Sequence, residues 1–295
     1  MDKKMYEKMH SGKGFVAALD QSGGSTPKAL KNYGISEDSY SNENEMYDLI
    51  HEMRTRVIKS PAFTSDQIIG AILFRRTMNS KIDGKYTAEY LWQEKGIVPL
   101  LKVDLGMIDK EDDVQLMKPI TNLDEQLKEA NSHGVFGTKM RSVIWAANPV
   151  GIKKIIDQQF EFGQKIFDAG LVPILEPEVN IDIPDKAEAE EIMVKEIKEH
   201  LAKLDDDTRF MFKFTIPTKA GLYNEIMEDP HVCRVVALSG GYSREKANEL
   251  LKENPGLIAS FSRALLNEIS AQQTDEEFNK ALQATVDSIY EASII

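Results

Sequence analysis

Phe210-Met211-Phe212-Lys213-Phe214-Thr215-Ile216 is an apolar, β-forming run with a single amine set inside it. It belongs to the run Arg209–Thr215, one of eight along the chain. The others are Gly14–Asp20, Ile68–Phe74, Val98–Asp104, Val135–Ser142, Leu171–Glu178, Val232–Ser239 and Leu257–Arg263. Between them lie helical patterns at Glu43–Ile58, Thr87–Gln93, Leu123–Ser132, Gly151–Ala169, Lys186–Leu204 and Arg244–Glu253. A last helix is predicted from about Asp275 to Ala292. Eight strands alternating with helices predict an α/β fold, a single (β/α)8 TIM barrel. A doubly wound open sheet is the alternative, because counting strands in one sequence can miss or invent one. No Pro/Gly/Ser-rich linker, low-complexity tract or repeat divides the chain, so residues 1–295 read as one domain.

Composition narrows the function. Hydrophobic residues make up 42% of the 295 and charged residues 28%, as in ordinary globular proteins. Lys and Arg total 36 against 48 Asp and Glu, a net charge of −12, which argues against a nucleic-acid binder or an anionic-membrane binder. An anionic ligand would need its cations gathered at one site. The single cysteine, Cys233, suits a reducing compartment. The first residues have no apolar core of a secretory signal, and no stretch of ~18 apolar residues predicts a membrane span. The expected location is cytoplasmic.

Lys213 asks for a reason. Burial favours the neutral amine, and a neutral amine attacks carbonyl carbon. The plain alternative is a lysine on an edge strand with its head in water. Its company favours chemistry, because seven of the eight runs end in polar or charged residues. These are Asp20; Lys102 and Asp104; Lys139 and Arg141; Glu176 and Glu178; Lys213 itself; Ser239-Gly240-Gly241; and Ser260, Ser262 and Arg263. Strand side chains alternate, so each i, i+2 pair points the same way, and barrel strand ends meet at the face where active sites sit. Neighbouring cations such as Lys139 are expected to help keep Lys213 neutral.

Two glycine-bearing turns are candidate phosphate cradles. Gly23-Gly24-Ser25-Thr26 follows the first strand, and reads equally as a plain turn with Ser25 or Thr26 capping the next helix. Ser239-Gly240-Gly241-Tyr242-Ser243 follows a strong strand and precedes a helix, where barrels commonly hold phosphate. None of His10, His51, His133, His200 and His231 falls at a strand C-terminal end, and none has metal-ligand spacing, so no metal or other cofactor is expected.

These residues resemble class I fructose-bisphosphate aldolases, the metal-free Schiff-base type, over about Gly14 to Ala264. The resemblance rests on Ala18-Leu19-Asp20-Gln21-Ser22-Gly23-Gly24-Ser25, Leu101-Lys102-Val103-Asp104 and Lys139-Met140-Arg141. It rests also on Val172-Pro173-Ile174-Leu175-Glu176-Pro177-Glu178 and Leu238-Ser239-Gly240-Gly241. It implies a lyase that cleaves fructose 1,6-bisphosphate reversibly, in glycolysis and gluconeogenesis. Lys213 would form the Schiff base and Glu176 would act as its acid/base, with Glu178 beside it. Lys139 would assist proton transfer, and Asp20 would take the hydroxyl proton. One phosphate would lie near Ser239, Gly240, Gly241 and Arg263, with Ser260 and Ser262 adjacent. The other would lie near Ser22, Ser25 and Lys102, and Arg141 would add charge to the mouth. For the proton transfers, Glu176 and Lys139 would need pKa values nearer neutrality than usual. The partner implied is a sugar bisphosphate; a homo-oligomer is compatible with the sequence.

Three departures from the family stand out. Phe214-Thr215 follows Lys213 where animal enzymes have Pro-Asn. Ser262 replaces the usual glycine before Arg263. The chain stops at Ile295, without the tail whose terminal tyrosine enters the site in animal enzymes, so Tyr290 should not inherit that role. Rival readings are transaldolase or deoxyribose-phosphate aldolase types, a tagatose-bisphosphate preference, or a non-catalytic barrel that binds a sugar phosphate. Intact Lys213, Glu176 and Asp20 argue against the last.

Overall fold

The computed structural model of the chain describes residues 2–22 and 24–295, so Gly23 of the first glycine turn lies outside the described residues. Eight parallel strands follow one another in chain order around a nearly closed barrel. They are β1 (Phe15–Leu19), β2 (Ile68–Leu73), β3 (Val98–Lys102), β4 (Gly137–Ile144), β5 (Val172–Val179), β6 (Phe210–Thr215), β7 (Val232–Leu238) and β8 (Ile258–Ala259). The seam between β8 and β1 is bridged by Ala18 N–H donating to the Phe261 carbonyl at 3.1 Å. This sequential ring excludes the doubly wound alternative, in which strand order reverses at a switch point. A two-residue strand, Val114–Gln115, pairs antiparallel with the far end of β4 and extends the wall there.

Continuous burial on both faces, one turned to the helices and one to the barrel interior, makes these runs largely apolar. Their two faces pack into two separate cores. One lies inside the barrel and includes Val16, Val98, Leu100, Ile174, Met211, Val236 and Ile258. The larger one lies between the strands and the surrounding helices. Period-two alternation then fixes what stands above the inner core: two or four residues on from these apolar positions come Asp20, Lys102, Glu176, Lys213 and Ser260.

The helices begin where local chemistry allows. α3 (Glu43–Lys59) is capped by Asn42, whose side chain accepts from Glu45 N, and carries Glu43 and Glu45 in its first turn. α7 (Pro149–Asp168) starts with Asn148 as cap and Pro149 in the first turn. α12 (Asp275–Ser293) opens with a Thr274–Glu277 capping box. α5 (Thr87–Gln93), α6 (Leu123–Ser132), α8 (Lys186–Leu201) and α10 (Arg244–Lys252) complete the longer set.

The sequence pattern did not reveal several short elements. α1 (Lys3–Ser11) has only Met5 and Met9 on its buried face, too few for a periodic signal, and these side chains close the bottom of the inner core. α4 (Arg75–Asn79), α9 (Asn224–Met227) and α11 (Arg263–Leu266) are single turns within loops. The expected eighth strand shortens to two laddered residues because the chain turns into α11 at Arg263. Among the described residues, no helix is long and apolar enough to cross a membrane.

Candidate active site

The C-terminal strand ends open into a cleft of about 630 Å³. All but one of the residues to which the resemblance gives a role line it: Asp20, Ser22, Ser25, Lys102, Lys139, Arg141, Glu176, Glu178, Lys213, Ser239, Gly240, Ser260, Ser262 and Arg263. Gly241 stands just behind, where a Cβ would lie 3.8 Å from an Arg263 guanidinium nitrogen. Among the described residues, β2 alone of the eight strands has no lining residue either within it or directly after it. Tyr290 packs against the outer core on α12 and is not part of the cleft lining.

Strands β4, β5 and β6 and the end of β1 bring the central charges together. Lys213 on β6 is 4% exposed, and its Nζ lies 3.3 Å from Glu176 Oε1 on β5. Lys139 on β4 stands between two carboxylates, 2.6 Å from Asp20 Oδ2 and 3.0 Å from Glu176 Oε2. The second of these contacts is close in distance but poorly aligned, so Glu176 Oε2 has no directed hydrogen bond among the described residues. Beside this group, Lys102 Nζ lies 2.6 Å from Asp104 Oδ1, and Arg141 Nε lies 2.6 Å from Glu178 Oε2. Asp104 also accepts from the backbone N–H groups of Gly106 and Arg141.

The protonation states follow from this packing. Burial pushes the Asp20 carboxyl up, but the ammonium groups of Lys139, Lys213 and Lys102 outweigh it and hold Asp20 below the usual carboxylate range. Burial pushes Lys139 down, and Asp20, Glu176 and Asp104 outweigh that, raising it above the ordinary lysine range. The expectation of a near-neutral Lys139 is therefore not met. Three surrounding carboxylates make it a fixed cation, a property that depends on fold proximity and not on anything local in Lys139-Met140-Arg141.

The cleft rim carries groups suited to anions. Ser260 Oγ is buried in the lining without a hydrogen-bond partner among the described residues. Gly240 has φ +62°, and a Cβ there would sit 2.6 Å from Ile181 Cγ2, so both the turn and the close approach require glycine. On the opposite rim, Ser22 and Ser25 close a tight turn: Ser25 Oγ meets both the N–H and the carbonyl of Ser22 at 3.1 Å. Ser25 precedes α2 (Thr26–Asn32) without capping it through its side chain.

Several lining residues were not identified as site residues in the sequence. Asp104 was visible as the i+2 partner of Lys102 but had no role of its own. Lys28 lies on α2, Asn267 just after α11, and Gln21 just after Asp20; a search of strand ends does not find such positions. Among the described residues, six cations and four carboxylates line the cleft, a local positive excess in a chain of net charge −12.

A solved structure of fructose-bisphosphate aldolase from Plasmodium falciparum, in a ternary complex with TRAP and a small-molecule inhibitor, matches this fold with a TM-score of 0.77. The two sequences are 21% identical, and the match covers 98% of this chain and 92% of that one. At that identity the likeness bears on the fold alone. Residues 3–215 match the family model described as fructose-bisphosphate aldolase class-I. That match takes in more than two thirds of the sequence, from the first helix through the strand bearing Lys213, and the chain belongs to the class-I fructose-bisphosphate aldolase family.

Proposed function

We propose that Lys213 is the amine on which this enzyme carries its substrate. As a class-I fructose-bisphosphate aldolase the chain is a lyase that cleaves fructose 1,6-bisphosphate reversibly to dihydroxyacetone phosphate and glyceraldehyde 3-phosphate. The assignment rests above all on one contact: the buried Lys213 amine faces Glu176 at 3.3 Å, with Lys139 joining Glu176 to Asp20 behind it. In this reading Glu176 takes a proton from the Lys213 ammonium, and the neutral amine adds to the C2 carbonyl. A proton then passes from the nitrogen to the former carbonyl oxygen, Glu176 returns its own proton to the same oxygen, which leaves as water, and an iminium remains. Asp20, held ionised by Lys139, removes the C4 hydroxyl proton. The C3–C4 bond breaks, its electron pair enters the enamine, and glyceraldehyde 3-phosphate departs. Protonation at C3 and hydrolysis then free dihydroxyacetone phosphate and the lysine.

Lys139 serves here as a permanent cation that keeps Asp20 a base and stabilises oxyanions near Glu176, a form of electrostatic preorganisation. The 1-phosphate is assigned to Ser239, Gly240, Ser260 and Arg263, and the 6-phosphate to Ser22, Ser25 and Lys102. Arg141 and Glu178, paired with each other, shape the wall between. Residues 1–295 are taken as one catalytic domain, because strands from both ends of the chain line the cleft.

Borohydride treatment with dihydroxyacetone phosphate, followed by peptide mass spectrometry, tests this directly. The expected adduct is on Lys213. Lys213→Ala and Lys213→Arg should fold, fail to cleave and fail to trap, since neither offers a neutral amine. An adduct at another lysine would overturn the assignment.

A further inference from the structure

Arg54 lies on α3, outside the cleft lining, and is completely buried. Among the described residues it has no carboxylate within ion-pair distance, and its Nε has no partner. A buried cation without a counter-ion is costly, so its hydrogen bonds require an explanation. One guanidinium nitrogen donates to Thr77 Oγ1 at 2.5 Å, in the loop after β2. The other donates to the Gln21 carbonyl at 2.6 Å and to Gln21 Oε1 at 3.2 Å, in the loop after β1. The Gln21 amide then donates from Nε2 to Ser262 Oγ at 2.5 Å, in the loop after β8.

We propose that Arg54 and Gln21 are positioning residues. They form a latch that ties the loop of Ser22 and Ser25 to the loop of Arg263 through the Ser262 hydroxyl, and so set the affinity for the bisphosphate. This rests on the assignment of the two phosphates to those two loops. Ser262 stands where the resemblance would place glycine, which has no hydroxyl to accept the Gln21 amide. Gln21 has no charge of its own; it presents one end of its amide to Arg54 and the other to Ser262. The latch also leaves the chemistry separately supported, because Asp20, its chain neighbour, is held by Lys139 on β4.

The test uses Gln21→Met, which keeps side-chain length and loses the amide, together with Ser262→Ala, their double variant and Arg54→Lys. Steady-state kinetics are measured with fructose 1,6-bisphosphate and fructose 1-phosphate, beside borohydride trapping of the unaltered enzyme. Gln21→Met should raise KM about three- to tenfold, the scale of losing the neutral Gln21–Ser262 hydrogen bond together with the long contact from Arg54 to Gln21 Oε1. Its kcat should stay within about twofold of the unaltered enzyme, and the two substrates should suffer alike, because the 1-phosphate loop is displaced for both. Ser262→Ala should raise KM by up to the same amount, and the double variant should be no worse than Gln21→Met alone, since the Gln21–Ser262 contact is already lost there. Arg54→Lys keeps the charge but not the fork, and should raise KM in the same way. Should it not fold, Gln21→Met and its cycle with Ser262→Ala still decide. KM within twofold for Gln21→Met, or multiplying effects in the double variant, would overturn the latch. Absence of turnover and trapping in the unaltered enzyme would instead overturn the Lys213 assignment and the latch with it.

Discussion

Lys139 shows how much one side chain's surroundings matter. Placed between Asp20 and Glu176, it is a cation whose proton is held above the ordinary lysine range, while Asp20 is held below the ordinary carboxylate range. The linkage signs follow. A depressed carboxyl contributes stability above its unfolded pKa and loses it only as pH falls through the folded value. A raised lysine contributes below its unfolded pKa and loses it only as pH rises through the folded value. The pair therefore contributes evenly across about pH 5 to 9, between the ordinary carboxylate and lysine values. Replacing Lys139 with Met removes the cation nearest Asp20, whose carboxyl must then rise. The expected result is a loss of kcat/KM of about 10²–10³, the scale of one preorganised charge, and an acid limb moved to higher pH because Asp20 must be ionised to act. A pH–rate profile of Lys139→Met with an unmoved acid limb would remove Asp20 from the role of base.

At the scale of elements, the strand is the informative unit. Val98, Leu100, Lys102 and Asp104 alternate onto one face, apolar below and charged above, and the same holds for Val172, Ile174, Glu176 and Glu178. That pattern made the barrel, its mouth and most of the candidate site legible, since strand direction and period are local properties. Arg54, Lys28 and Gln21 were not legible: they sit on helices or in loops, and only the fold brings Lys28 and Gln21 to the cleft and Arg54 behind it. The raised pKa of Lys139 was hidden for the same reason, because its three carboxylates come from β1, β5 and the segment after β3. In the proposed assignment, strand position also divides the phosphates. Lys102 leaves from β3 and Arg263 follows β8, so one cation cannot easily serve both ends of an extended bisphosphate. Losing either should cost about 1.5–3 kcal/mol of binding. Fructose 1-phosphate separates them: Lys102→Ala should hurt it much less than the bisphosphate, whereas Arg263→Ala should hurt both alike. Equal sensitivity of the two substrates to Lys102→Ala, in KM comparisons, would show the division to be wrong.

Across the whole molecule, chemistry and stability occupy opposite ends of the barrel. The mouth gathers cations and carboxylates whose burial is tolerable only because they are paired. The bottom is closed by apolar side chains: α1 inserts Met5 and Met9 against the inner core of Val16, Ile69, Val98 and Ile258. Gly70 on β2 leaves the room Met9 needs, since a Cβ at that position would meet Met9 Sδ at 3.1 Å. Met9 is fully buried and lies at the opposite end from every group assigned to the reaction. Truncating it should therefore separate the two properties. Met9→Ala removes a buried side chain from a packed site and should cost about 2–4 kcal/mol. In a chain of this size that lowers Tm by roughly 4–10 °C. Below the new transition, kcat and KM should match the unaltered enzyme, because the pairs at Lys139, Lys102 and Arg141 do not depend on how the bottom is filled. Thermal unfolding and steady-state kinetics on the same preparation check both halves. A drop in kcat at temperatures where Met9→Ala is fully folded would show that the plug and the mouth are coupled through the inner core.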